Sequence, residues 1–137
     1  MPASNPAAGP PIRRLGDGWE PHVDEVGDEL TYSIPVASGI VDGSFSFSIT
    51  GDDLAVLLAE PYRRLVLQHS LHTLLQRTMM RGGDPSMTQQ GFREVADLVL
   101  AAPVDEVERF IDRVDAANNI ALRVFVDRDL ERLASDG

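Results

Sequence analysis

Three histidines, His22, His69 and His72, carry all the imidazole chemistry of this chain. His69 and His72 stand three residues apart, the spacing that puts two rings on one side of a helix, where they can hold a metal or face a partner. A metal site needs further ligands, and neither a Glu-x-x-His nor a His-Glu-x-x-His pattern supplies them. No metal and no cofactor is therefore expected. The chain has no cysteine and no lysine, every basic side chain being arginine, which excludes thiol nucleophiles, Schiff-base chemistry and a P-loop lysine. Ser44, Ser46 and Ser48 alternate as one face of a strand would, and no Gly-x-Ser-x-Gly elbow raises any serine to a nucleophile. The carboxylates of Asp52-Asp53 and Asp127-Asp129 suit helix starts, and residues one or two apart on a helix do not face each other as an acid/base couple. No catalytic residue is assigned and no enzyme is expected.

A second cluster has charge rather than chemistry. Asp17, Glu20, Asp24, Glu25, Asp28 and Glu29 crowd around His22 and Trp19, the single tryptophan. Such a run reads first as a solvated segment, and more sharply as an acidic arm with an aromatic anchor. The candidate partner-binding residues are thus Trp19, Glu20, Asp24, Glu25, Asp28, Glu29, His69 and His72. The net charge of −10 repels nucleic-acid phosphates and anionic lipid, so neither is expected as a partner, whereas a basic protein would be attracted.

The elements that must position these residues follow from periodicity. Residues 1–25 are rich in Pro, Ala and Gly without an apolar repeat and read as a flexible acidic tail, leaving 26–137 as one globular domain. Leu30, Tyr32, Ile34 and Val36 alternate with polar residues or Pro35, as Phe45, Phe47 and Ile49 do with the serines, which predicts an antiparallel hairpin over 30–49. Pro35 has no N–H, so its strand is an edge at least locally. Thr50 and Asp53 have capping-box spacing before a short helix, and Pro61 to Met80 is the longest helix, with Leu67, Leu71, Leu74 and Leu75 towards the core. That stripe leaves His69 and His72 on the opposite, outward face. Further helices are predicted from Ser86 or Thr88 to Ala102 and from Val104 to Ala117. Leu122, Val124 and Val126 alternate, which favours a third strand at 120–126 over a continuing helix, with Asp127 capping a short last one.

The expected fold is α+β, a small antiparallel sheet on three to four helices. The helix pair after Ser86 has the outline of a DNA-binding motif, but its second member carries Asp105, Glu106, Glu108, Asp112 and Asp115, which excludes phosphate contact. Neither a basic-then-apolar leader nor a membrane-length apolar run is present, so the cytoplasm is the expected compartment. Arginine-only basic usage with abundant Ala, Gly, Asp and Val is typical of GC-rich bacterial genes. The function expected is that of a small acidic binding or inhibitor protein that neutralises a basic protein partner, toxin or effector, as immunity proteins and antitoxins do by type rather than by sequence. A secretion chaperone is the first alternative, although those generally begin with a helix. A small-ligand binder or an enzyme without a recognisable motif is the second.

Overall fold

The computed structural model describes residues 10–16, 20–38, 41–79, 86–118 and 120–136. Four strands, β1 (Ile12–Leu15), β2 (His22–Val26), β3 (Glu29–Ser38) and β4 (Val41–Ile49), form one antiparallel sheet in chain order. The helices α1 (Gly51–Ala59), α2 (Pro61–Met79), α3 (Gln89–Ala96), α4 (Val104–Asn118) and α5 (Leu122–Asp136) follow. Strands and helices are segregated along the chain, which makes the protein α+β.

The hairpin of β3 and β4 forms over the expected span, with Leu30 opposite Ile49 and Ser38 opposite Val41. Tyr32, Ile34, Val36, Phe47 and Ile49 are buried, while Ser44, Ser46 and Ser48 are exposed on the other face. Phe92 of α3 is fully buried and stacks on Phe47 with ring centroids 4.5 Å apart, which fixes the helical layer to the sheet.

Ile12–Leu15 and His22–Val26 are strands rather than tail, which corrects that expectation for these residues. β2 pairs with β3 from His22–Ser33 to Val26–Glu29, and Val23 is fully buried. Charge pairing at long range hides these strands from a local reading, while backbone pairing with β3 and burial of Val23 hold β2 in place. Arg13 bridges Asp24 at 2.6 Å on one face of the sheet, and Arg14 bridges Glu25 on the other, so a segment that reads as solvated acid becomes a neutralised ladder. Gly16 lets the chain turn between β1 and β2: its φ is 81°, and a Cβ there would collide with the Pro21 carbonyl oxygen. Residues 1–9 and 17–19, Trp19 and Asp17 among them, lie outside the described residues.

The second correction concerns the C-terminal segment. Residues 120–126 are not a third strand; from Leu122 the chain is α5, and among the described residues the helices number five rather than three or four. Leu122 and Val126 are buried and Leu130 half-buried, a four-residue stripe, whereas Val124 is 54% exposed. The apparent alternation therefore fell on opposite faces of a helix. Asp115 on α4 accepts a hydrogen bond from the Leu122 backbone N–H at 2.6 Å and so caps α5 from outside it.

Between α3 and α4 the chain makes a single π turn, Asp97–Ala101. Arg63, near the start of α2, bridges Glu60 at 3.0 Å and donates to the carbonyls of Val99 and Ala102 at 2.9 and 2.6 Å. An arginine that opposes the dipole of its own helix thus satisfies the carbonyls of the next break. Among the described residues, no helix is long and apolar enough to cross a membrane.

Candidate functional site

The face of α2 that carries His69 and His72 does not point to open solvent. With α5 helical, that face lies against it, and His69 Nε2 meets Asp129 Oδ2 at 2.7 Å. Arg132 approaches the other oxygen of Asp129 at 3.4 Å, and the His69 ring lies against that of Phe125 with centroids 6.0 Å apart. The expectation of an outward histidine face is corrected for the same reason as the strand at 120–126: the segment that covers it changed class.

Both histidines line an open groove of about 960 Å³. One wall is α2, from Gln68 to Gln76; the second is Ile120, Leu122 and Phe125 at the start of α5; the third is the β3–β4 hairpin at Ile34, Pro35 and Val36 with Gly43 and Ser44. Residues of both strands contribute, so the groove runs across the hairpin and meets the outer edge of β3 on the side of β2. Among the described residues no strand pairs with that edge there, because β2 ends at His22, opposite Ser33, while β3 continues to Ser38. Pro35 sits in this stretch, in agreement with its expected local edge position. Glu20 and Pro21, just before β2, complete the rim.

Two of the eight candidate residues, His69 and His72, thus line one groove, and Glu20 joins them there. Asp24 and Glu25 do not: each is committed to an arginine of β1. Asp28 and Glu29 are exposed at the β2–β3 turn, where Gly27 has φ 62°, away from the groove lining. Phe125, 41% exposed at the groove, was missed by sequence reasoning because its segment was read as strand. Among the described residues, no three His, Asp or Glu side chains converge as a metal site would require.

Burial, and after it the charge of neighbouring His69, holds the His72 imidazole below its ordinary value of 6.5. The unfolded chain therefore takes up the proton first as pH falls. Stability from this group is fully present above the unfolded value and is lost as pH drops through 6.5 towards the folded one. Replacing His72 by Gln should flatten the pH dependence of the melting temperature between about 7.5 and about 5 relative to the native chain. An unchanged slope would show that His72 titrates alike in both states.

Comparison with family models, with curated proteins and with solved structures gives no match for this chain.

Proposed function

We propose that this is a small acidic binding protein, of the immunity-protein or antitoxin type, that acts in the cytoplasm by shielding a basic protein partner. The observation that carries the reading is a preformed groove on a chain of net charge −10, lined by apolar side chains, polar groups, two histidines and Glu20, with no arginine of the described residues in its lining. Cations are favoured at such a site and anions opposed. A small-ligand binder is the second reading, because about 960 Å³ is within the range of small-molecule pockets and His69 is oriented by Asp129 as a polar contact would need.

The test is co-purification from the native host followed by association kinetics with the partner so identified. The association rate is expected to fall at least severalfold between about 20 and about 150 mM salt. Replacing Asp28 and Glu29 by their amides should lower that rate with little effect on dissociation, whereas Phe125→Ala should speed dissociation. A salt-independent association rate, or a partner that is itself acidic, would overturn the reading.

A further inference from the structure

We propose that the partner presents an extended basic segment that adds as a strand to the free edge of β3 over residues 34–38; this rests on the binding-protein reading above. The two outer edges of the β3–β4 hairpin are treated differently. On β4, the Gln89 side chain donates to the Ser48 carbonyl and accepts from the Ser48 N–H, both at 2.9 Å, occupying that edge as a neighbouring strand would. On β3, beyond the end of β2, no strand of the described residues takes that place.

The Gln89 contact also fixes which groups the β3 edge presents. Because the Ser48 N–H and C=O point outward, Ser48 and Thr31 are a pair without mutual backbone bonds. Alternation along the unbroken register then gives the same status to Ser33–Ser46, Pro35–Ser44 and Ala37–Asp42. The Pro35 C=O and the Ala37 N–H and C=O therefore point away from β4, into the open side. Pro35 is tolerated because the hydrogen bond it cannot make lies on that side. It also limits the added strand to a short one centred opposite Ala37.

Beside these backbone groups lies the groove, which takes the alternate side chains of an added strand between β3, α2 and α5. Main-chain bonds along the edge and side-chain pockets beside it are the two requirements of strand addition. The sign of the occupant follows from charge: among the described residues no arginine lines the groove, and the chain as a whole is at −10. A second copy of this chain, being equally acidic, is the less favoured occupant.

The probe is a displayed library of random peptides of about 10 residues, selected on the full-length chain, with the binders then synthesised. Selected peptides should be net basic with apolar residues at alternate positions. Methylating the peptide nitrogen opposite Ala37 should weaken binding at least about tenfold, and methylating either neighbouring nitrogen should not. Ala37→Pro should match that loss while leaving the melt unchanged, since the N–H it removes points off the sheet, and Ala37→Ser should bind as the native chain does. Selection of no binder, of binders without basic enrichment, or of binders insensitive to both changes would overturn strand addition. A dimer of the native chain abolished by Ala37→Pro would assign the edge to a second copy and reject the basic segment. If the co-purified partner binds with the expected salt dependence but ignores Ala37→Pro, strand addition fails while the binding-protein reading stands.

Discussion

Removing residues 1–26 is expected to abolish the cooperative melt of this protein. The deletion takes away β1 and β2 and leaves Thr31 and Ser33 of β3 without backbone partners on one side. It also removes Val23, which is fully buried and sits directly opposite Tyr32 at the centre of the sheet. Lost burial of one valine costs about 2 kcal/mol, and each uncompensated ladder bond about 1 kcal/mol. The ion pairs of Arg13 and Arg14, which are partly exposed, add little. Total stability for a domain of this size is about 5–15 kcal/mol, so losses of this kind consume a large part of it. Tyr32, whose buried hydroxyl has no hydrogen-bond partner among the described residues, would meanwhile gain access to water. Thermal unfolding followed by circular dichroism decides the matter: a transition within a few degrees of the full chain would mean that the two strands contribute no stability.

The same segment shows where sequence reasoning stops. The strand of His22 to Val26 turns one apolar side chain, Val23, into the core, and its other residues are charged or exposed, so no local periodicity announces it. Its backbone pairs with β3 and its acids meet arginines eleven positions earlier, and local pattern reading can weigh neither. The 30–49 hairpin was legible because five of its apolar side chains go to one side and three serines to the other, and the cap at Thr50 because its partner is three residues away. For 122–126, alternation of β-branched residues competed with a four-residue stripe, and only the Asp115 cap and the packing against α2 settle the choice. The histidine pair was legible from its spacing. The groove beside it was not, because two of its walls depend on where β2 ends and on α5 being a helix.

Replacing Asp53 by Ala is expected to cost about 3 kcal/mol, through the loss of a cap and a part-buried ion pair together. Asp53 is 7% exposed. Its N–H donates to Thr50 Oγ1 at 3.1 Å, and its carboxylate accepts the Thr50 N–H at 2.9 Å, a reciprocal box at the start of α1. The same carboxylate takes both terminal nitrogens of Arg93, at 2.7 and 2.8 Å, tying α1 to α3. Burial pushes this carboxyl up, but the Arg93 and Thr50 hydrogen bonds more than offset it and hold it below 3.8. Alanine would leave the Thr50 N–H without its acceptor and Arg93 with Asp97 alone, which is 63% exposed. In a chain of this length the loss corresponds to about 10 °C in melting temperature. Thr50→Ala, which removes the cap but keeps the ion pair, should cost about 1 kcal/mol. Converting Asp53 and Arg93 together to leucine should cost less than Asp53→Ala alone, because no charge is then left without its partner. The depressed carboxyl also sets a sign: its contribution is present above 3.8 and is lost as pH falls below that value, so Asp53→Ala should flatten the acid limb of the stability curve. Urea unfolding of the single and double variants at neutral and acid pH measures all of these, and an Asp53→Ala cost no larger than that of Thr50→Ala would show that Arg93 adds nothing to the cap.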